Sequence, residues 1–393
     1  MIENRESKVK NLLELNVQEV VDVEHLREAL LSDKKLRVKL GIDPTAPDLH
    51  LGHAVILRKL REFQELGHKI VFIIGDFTGK IGDPSGRTET RKPLTDFEVK
   101  KNMKSYLAQA GKVINIKKTE IFYNSQWFKK EGIQKLIELS MASTIQQVLK
   151  RADFKKRMEE DNEITLLEIL YPLLQGYDSL KVRADVEIGG TDQKFNLLMG
   201  RRVQRYFGMK EQDVVMIPLL EGLDGVKKMS KSFGNYIGLA DSANDMFGKI
   251  MSLPDQMIRK YFVFCTDLNE SEIVSLEKEL TPKSLKEKLA FEIVKIYHGE
   301  KEALKTKDNF LKVFSKKDLS GELPVLKVEN KIIAEDLVLK TGVAGSKAKA
   351  WRLITQGGFS IDSKAIKNPK EKIVFKGGEV AKIGKKSFFR IKV

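Results

Sequence analysis

Two histidines in a short loop are the first residues whose type and spacing suit phosphate chemistry. The stretch Gly41–His53 reads GIDPTAPDLHLGH, and its two prolines favour a loop that runs into a helix at about Leu49. His50 and His53 then lie on one face at the helix start, where free backbone N–H groups already attract phosphate. A metal pair is the alternative, but the other histidines, His25, His68 and His298, repeat no ligand spacing. We therefore expect no metal centre.

A lysine-rich loop is the second candidate. Lys228 and Lys231 lie in GLDGVKKMSKSFG, residues Gly222–Gly234, with glycines on both sides. Alone, such a run is usually solvated surface. Following the histidine motif, it indicates a loop that closes two ammonium groups over a pyrophosphate leaving group.

A polar stripe on an apolar helix is the third candidate. Thr165–Lys181 has helical periodicity, and Tyr171, Gln175 and Asp178 fall on one face because they are four and three residues apart. By itself the stripe could face solvent. Beside the two motifs, it predicts one wall of a substrate pocket.

Charge and composition narrow the class of protein. The net charge is +15, and the last 63 residues alone hold 15 Lys/Arg against 5 Asp/Glu. Such a block either binds phosphate backbones or is a solvated lysine surface. No apolar run approaches the ~20 residues that cross a bilayer, and the amino terminus (MIENRESKVK) is charged from its start. With the single cysteine Cys265, we expect a cytoplasmic protein without disulfides or membrane contact.

The elements that must position these residues alternate between strand and helix. Strands are predicted at Arg37–Ile42, Lys69–Ile74, Ala184–Ile188 and Val214–Leu220, with helices such as Ala54–Leu66 and Thr95–Ala110 between them. This alternation predicts an α/β fold with a doubly wound parallel sheet of the Rossmann type. The pattern becomes wholly helical from about Asp245 to Phe314, and a linker-like stretch follows.

Several motifs together resemble one family. KMSKS is present letter for letter at Lys228–Ser232, and His50, Gly52 and His53 match the HIGH motif of class I aminoacyl-tRNA synthetases. With GDPSGR (Gly82–Arg87), YPLLQGYDS (Tyr171–Ser179) and GGTDQ (Gly189–Gln193), nearly the whole chain resembles the bacterial tyrosyl-tRNA synthetases, in the branch that keeps KMSKS.

The resemblance implies an architecture and a reaction. It implies a catalytic domain over residues 1–225, the KMSKS loop with a helical anticodon-side domain over 226–315, a linker over 316–334 and a small α+β RNA-binding module over 335–393. It also implies tyrosine activation by ATP, which carries Mg²⁺, followed by transfer to tRNA, in a homodimer. A dimer contact within Tyr123–Asp161 is expected, although Ile133, Leu136, Met141 and Val148 could equally be core.

Roles follow from the resemblance position by position. Phosphate and pyrophosphate contacts are implied for His50, His53, Lys228, Lys231, Arg87 and Arg91. Tyrosine contacts are implied for Asp83, Tyr171, Gln175, Asp178 and Gln193, with Asp178 accepting the phenolic hydroxyl. Further ATP contacts are implied for Asp43, Gly52 and Asp192, the last on the ribose.

The basic tail contains a second resemblance. Thr341–Asp362 (TGVAGSKAKAWRLITQGGFSID) is similar to the small αL RNA-binding motif. Lys347, Lys349 and Arg352 would then face RNA phosphates.

One residue departs from the pattern, and two rival functions remain. Better-known members of the family have a tyrosine where this chain has Lys39, four residues before Asp43. Either Lys39 points away or the hydroxyl is bound differently.

The rival functions are those of a tryptophanyl-tRNA synthetase, which Asp178 and the basic tail disfavour, and of a non-catalytic RNA-binding protein such as a splicing cofactor.

Overall fold

A computed structural model describes residues 2–85, 93–312, 323–362, 364–384 and 387–393. These residues form two compact units. The first contains the residues up to Asp241 together with Lys249–Tyr297, and the second contains Ser242–Gly248 and the described residues from His298 onward.

A six-stranded sheet forms the centre of the first unit. Its strands are β1 (Glu19–Val21), β2 (Arg37–Ile42), β3 (Lys69–Ile74), β4 (Thr119–Tyr123), β5 (Val186–Gly190) and β6 (Asp213–Ile217). The spatial order is β1-β6-β5-β2-β3-β4, with β2 to β6 parallel and β1 antiparallel at one edge. The chain leaves β2 toward β3 on one side, whereas β5 lies on the other side of β2. The order therefore switches between β2 and β5, which is where doubly wound sheets bind ligands.

The described helices up to His298 are numbered in chain order. They are α1 (Ile2–Glu14), α2 (Val23–Leu31), α3 (Leu51–Glu65), α4 (Thr78–Ile81), α5 (Asp96–Met103), α6 (Tyr106–Ala110), α7 (Ser125–Ser140), α8 (Ile145–Val148), α9 (Ala152–Glu159), α10 (Leu166–Lys181), α11 (Lys194–Tyr206), α12 (Ala243–Met251), α13 (Ile258–Cys265), α14 (Glu270–Glu279) and α15 (Pro282–His298). Of these helices, α12 is divided between the two units. α10 and α11 pack together on the sheet through apolar residues such as Leu173, Met199 and Val203.

The local predictions are largely confirmed. β2 and β3 have the predicted bounds, whereas β5 and β6 are each displaced by one to three residues at their ends. Thr165 and Glu168 form the reciprocal capping box that satisfies free amides at the start of α10. The predicted helix Thr95–Ala110 is wrong in one respect, because it breaks into α5 and α6 near Lys104.

The second unit ends in a small α+β module. After α16 (Glu300–Phe310) come β7 (Val325–Lys327), β8 (Lys331–Ile333), α17 (Ala334–Lys340), α18 (Lys347–Thr355), β9 (Phe359–Ile361), β10 (Lys364–Ala365), β11 (Lys372–Val374), β12 (Val380–Ile383) and β13 (Ser387–Lys392). The strands form a sheet in the order β10-β9-β12-β13-β7 and a separate pair, β11-β8. Apolar side chains from both helices and the larger sheet fill its core.

The stretch predicted as a linker is partly strand. Residues 316–322 lie outside the described residues, but β7 and β8 both fall within 316–334. β7 pairs with β13 and β8 with β11, so backbone groups that a linker would leave in water are hydrogen-bonded. The pairing partners lie about 40 residues away for β8 and about 65 residues away for β7, beyond the reach of a local pattern.

Among the described helices, none has both the length and the apolar character needed to cross a membrane.

Candidate active site

A cavity of about 810 Å³ opens at the switch point between β2 and β5. The loop after β2, the start of α3, one face of α10, the turn after β5 and the lysine loop all contribute to its walls. The predicted site residues that line it are Asp43, His50, Gly52, His53, Asp83, Tyr171, Gln175, Asp178, Asp192, Gln193, Lys228 and Lys231. The fold therefore brings together segments that are far apart in the chain.

The two histidines stack at the start of α3. His50 is the residue immediately before the helix, and its ring centroid lies 3.9 Å from that of His53. The His50 backbone N–H donates to Nδ1 of His53 at 3.2 Å, so the His53 ring carries its hydrogen on Nε2. A Cβ at Gly52 would lie 3.0 Å from Nδ1 of His50, so a glycine there leaves room for the ring.

Both imidazoles are held neutral. Burial, joined by the neighbouring titratable ring of His53 and the positive charges of Lys231 and Lys228, holds the pKa of His50 well below its ordinary value. Burial and the charge of Lys231 lower the pKa of His53 to about 4. At neutral pH the rings are therefore uncharged hydrogen-bond donors and acceptors.

Each lysine of the loop contacts a carboxylate on the cavity wall. Nζ of Lys228 donates to Oδ2 of Asp192 at 2.8 Å, and Nζ of Lys231 donates to Oδ2 of Asp48 at 3.2 Å. The amide of Asn235 holds the loop by donating to the carbonyls of Lys227 and Lys228.

Backbone pairing joins the loop to the histidine motif. The segment after the loop forms hydrogen bonds from Leu51 to Ile237 at 3.0 Å and from Leu239 to Leu49 at 2.8 Å. The two motifs are thus held at one end of the cavity.

The α10 face forms a different part of the wall. The Tyr171 hydroxyl donates to Oδ2 of Asp43 at 2.9 Å. Asp178 is buried and accepts hydrogen bonds from Trp127 Nε1 at 2.9 Å and Asn124 Nδ2 at 3.1 Å. Burial raises the pKa of Asp178 to about 7, although the charge of Lys39 and these two hydrogen bonds act in the opposite direction.

The turn after β5 meets the GDPS segment. Gln193 Nε2 donates to Oδ2 of Asp83 at 2.6 Å, and Asn196 Nδ2 donates to its Oδ1 at 3.2 Å. Asp83 is therefore fixed at the cavity edge as an acceptor. Arg87 and Arg91, predicted to contact pyrophosphate, lie outside the described residues.

Comparison with known proteins places the chain in a family. The family described as tRNA synthetases class I (W and Y) matches residues 31–315. The chain belongs to this family. The prediction drawn from its motifs is confirmed.

Relatives within the class I tRNA synthetases (W and Y) match almost the full length. A tyrosine–tRNA ligase of Thermotoga maritima is 46% identical over 391 residues, which cover 98% of this chain and 97% of that protein. A tyrosine–tRNA ligase of Aquifex aeolicus is 47% identical over 374 residues, covering 95% of each chain.

Solved structures confirm the fold of this family. A C-terminally truncated mitochondrial tyrosyl-tRNA synthetase of Aspergillus nidulans superimposes with a TM-score of 0.67 at 22% identity, covering 80% of this chain and 99% of that one. The tyrosyl-tRNA synthetase of Archaeoglobus fulgidus, complexed with L-tyrosine, gives 0.62 at 20% identity, covering 77% and 99%.

Lys39, the departure from the pattern of this family, does not reach the cavity surface. It is fully buried, and it is absent from the residues that line the cavity. Its Nζ donates to the backbone oxygen of Gln175 at 3.1 Å, to Oγ of Ser179 at 2.7 Å and to Oε1 of Glu187 at 2.8 Å. Gln175 and Glu187 both line the cavity, so the ammonium group of Lys39 lies directly behind its surface.

Sequence reasoning missed the residues that support the predicted ones. Thr78 Oγ1 donates to Oδ1 of Asp43 at 2.7 Å, and a Cβ at Gly75 would come within 1.9 Å of the same oxygen. Asn124, Trp127 and Glu187 are buried and bond to site residues. In the sequence, Asn124 and Glu187 are polar residues after or within a strand, and Trp127 is an aromatic residue in a helix. Residues of these types are too common at such positions to be identified as part of a site.

A possible metal-ligand group lies elsewhere in the first unit. Ligand atoms of Asp22, His25 and Asp213 lie within 4.8 Å of one another, and none of the three lines the cavity. His25 Nδ1 is 2.9 Å from Oδ2 of Asp213, which is an ordinary hydrogen-bond distance. The sequence could not indicate this group, because Asp213 is far from His25 in the chain and only the fold brings the two side chains together.

The predicted RNA contacts lie on one helix of the second unit. Ser346 caps α18 by accepting from the Lys349 N–H at 3.3 Å. Lys347, Lys349 and Arg352 are all exposed.

Proposed function

We propose that the chain is a tyrosine–tRNA ligase that makes tyrosyl-adenylate from tyrosine and ATP and then esterifies tRNA. One observation carries the proposal: His50, His53, Lys228 and Lys231 line the same cavity as the buried carboxylate of Asp178. Phosphate-binding donors and a hydroxyl acceptor thus share one space. Relatives named tyrosine–tRNA ligase match nearly the full chain.

The first step is a displacement at phosphorus. A carboxylate oxygen of tyrosine attacks the α-phosphorus of ATP, and the bond to the bridging oxygen breaks, so that pyrophosphate leaves with the electron pair. In the second step a hydroxyl of the terminal ribose of tRNA attacks the tyrosyl carbonyl carbon, and AMP leaves. Neither step needs a covalent enzyme intermediate, so positioning and charge stabilisation supply the rate.

The imidazoles act as neutral donors. With Nδ1 of His53 accepting the His50 N–H, Nε2 of His53 carries the hydrogen that can be given to a phosphate oxygen. Lys228 and Lys231, with Arg87 and Arg91, would neutralise the leaving pyrophosphate. The Mg²⁺ arrives bound to ATP, whose phosphates are its usual partners; Asp43, Gly52 and Asp192 complete the nucleotide site.

The α10 wall selects tyrosine. Each oxygen of Asp178 accepts one hydrogen bond, from Asn124 or Trp127. An ionised carboxylate has further lone pairs and no hydrogen to donate, so Asp178 can accept a third hydrogen bond, from a phenolic hydroxyl. Phenylalanine brings no hydroxyl, so it would deprive that buried carboxylate of the further hydrogen bond that tyrosine gives it. Tyr171, Gln175, Asp83 and Gln193 would hold the amino group and line the pocket.

Pyrophosphate exchange tests the proposal. Purified protein with ATP, labelled pyrophosphate and each of the twenty amino acids is expected to exchange with tyrosine and to discriminate strongly against phenylalanine. Exchange with tryptophan in place of tyrosine would make the chain a tryptophanyl enzyme. Exchange with no amino acid would indicate an RNA-binding protein without this catalysis.

We also propose that α18 contacts the phosphates of tRNA through Lys347, Lys349 and Arg352, within a module over residues 335–393. This is supported by the exposure of all three side chains on a helix of a strongly basic segment.

Because tRNA and ATP are the substrates, we place the enzyme in the cytoplasm.

We propose a homodimer through an exposed apolar face of α7. Ile133 and Ile137 of α7 and Met141, directly after the helix, are spaced four residues apart and are 77, 59 and 61% exposed. Val148, by contrast, packs into the core, and Leu136 is half-buried. Three exposed apolar side chains on one helical face are typical of an interaction surface.

A further inference from the structure

Lys39 and Glu187 form an ion pair at the wall of the cavity, where Glu187 is a lining residue and Lys39 lies behind it. They stand opposite each other on the parallel strands β2 and β5, and both are buried, at 0 and 1% exposure. The three N–H groups of Lys39 have three acceptors: Glu187, Ser179 and the Gln175 carbonyl. The pair is thus fully hydrogen-bonded, as a buried charge requires.

The pair holds the amide of Gln175. Oε1 of Glu187 accepts from Nε2 of Gln175 at 3.3 Å, while its Oε2 accepts from Ser179 at 2.8 Å and from Gln212. Since the NH₂ end of Gln175 is directed to Glu187, its Oε1 is the end available to the cavity. A carbonyl oxygen there suits a substrate ammonium group.

The same lysine acts on Asp178. The charged groups that face Asp178 are Lys39 from β2, which favours the ionised carboxylate, and Asp43 from the loop after β2, which opposes it. Tyr171 faces the same group of carboxylates from α10 itself. Asn124 and Trp127, before and within α7, are uncharged donors.

We propose that Lys39 and Glu187 are positioning residues of the tyrosine pocket, where Glu187 orients Gln175 toward the substrate ammonium and Lys39 supplies the charge that keeps Asp178 an acceptor for the phenolic hydroxyl. The inference rests on the proposed tyrosine-activating function.

A double variant tests the pair without leaving a buried charge unpaired. Lys39→Met/Glu187→Gln removes both charges and keeps the approximate shapes. Its matched control is Arg157→Met/Glu168→Gln, which removes another buried ion pair with a 2.7 Å contact and retains a capping-box residue, away from the cavity lining.

The readout is the KM for tyrosine in pyrophosphate exchange between pH 6 and 8.5, with folding checked by circular dichroism. In the wild type, tyrosine affinity is expected to fall below an inflection near pH 7, as Asp178 gains a proton. Lys39→Met/Glu187→Gln should move the inflection to higher pH. The KM for tyrosine at the acid end of the range should rise about tenfold. At a pH below the pKa of a carboxyl group, an increase of about one in that pKa lowers the ionised fraction about tenfold. The KM for ATP should be unchanged, and the control variant should leave the inflection in place.

Two results would overturn the inference. One is a folded Lys39→Met/Glu187→Gln variant with the wild-type inflection and KM; the other is a control that shifts equally. The single variant Glu187→Gln gives a second check, because it keeps an acceptor for Lys39 and Gln175 and leaves the charge of Lys39 in place. The pH of the inflection should then be unchanged or lower. A higher pH of inflection would contradict the assignment. Failure of the wild type to exchange with tyrosine would instead overturn the proposed function.

Discussion

The position of Lys231 leads to a prediction about the transition state of the proposed reaction. Its Nζ contacts Asp48 and influences both imidazoles, and it lies over the ring of Tyr236 at 5.4 Å. It therefore lies beside the histidine motif, at the part of the cavity that we propose binds phosphate. Charge on the leaving pyrophosphate grows only as the bond to the α-phosphorus breaks.

Lys231→Ala is expected to lower the rate of adenylate formation by about 10²–10³, the typical cost of one lost charge-stabilising donor. The KM for tyrosine should stay within about twofold, because the lysine binds charge that develops in the reaction. Single-turnover formation of tyrosyl-adenylate measures both. Lys194→Ala, which removes an exposed lysine paired with Glu19 at 2.7 Å, is the control. Equal losses in rate and tyrosine affinity would contradict the assignment.

At the scale of elements, the close packing of α11 against α10 and the sheet supports the pocket from behind. A Cβ at Gly200 would lie 2.5 Å from Nε2 of Gln212, 3.1 Å from Oε2 of Glu187 and 3.3 Å from Oγ of Ser179. Glu187 is the partner of Lys39 in the buried ion pair, and Ser179 and Gln212 both donate hydrogen bonds to it. The absence of a side chain at one position of α11 thus leaves room for the polar network.

Gly200→Ala should destabilise the protein by about 1–3 kcal/mol through overpacking. Gly248→Ala in α12 is the matched control, since nothing lies within 4 Å of its added Cβ. There the exchange should be neutral or stabilising by up to ~1 kcal/mol, the difference in helix propensity. Urea unfolding followed by circular dichroism gives both values. The reverse order of stabilities would show that α11 does not pack as described.

At the scale of the whole molecule, the basic charge is concentrated in the module of the second unit. Lys347, Lys349 and Arg352 lie on one capped helix, whereas Lys364, Lys367 and Lys370 of the same module are exposed elsewhere. The two triads carry the same charge. They therefore separate a specific RNA contact from general electrostatic attraction.

Reversal of the α18 triad to glutamate is expected to raise the KM for tRNA at least tenfold and to reduce its salt dependence, because phosphate contacts are lost. Tyrosine-dependent pyrophosphate exchange should be unchanged. The same reversal at Lys364, Lys367 and Lys370 should have a smaller effect on charging. Equal effects of the two reversals would assign the attraction to net charge.

The exposed face of α7 makes a further prediction at this scale. Ile137→Asp should shift the protein from dimer to monomer in analytical ultracentrifugation, because a carboxylate would be desolvated in the contact. Leu304→Asp, at a residue 50% exposed in α16, should leave the assembly unchanged. A monomeric wild type, or a dimer that persists in Ile137→Asp, would remove α7 from the interface.

The sequence by itself determined what depends on short spacings. The bounds of β2 and β3 and the histidine and KMSKS motifs were predicted, because each is set by residues within a few positions of one another. The three-residue edge strand β1 was missed because so short a segment has too little pattern.

Only the tertiary structure decided how those pieces meet. Lys39 and Glu187 are 148 residues apart, and their pairing requires β2 beside β5 in one register. The pKa of Asp178, raised to about 7, depends on burial by elements that no local pattern connects. Strand order, register and burial are properties of the folded packing, and for that reason the role of Lys39 could be inferred only after the fold had placed it.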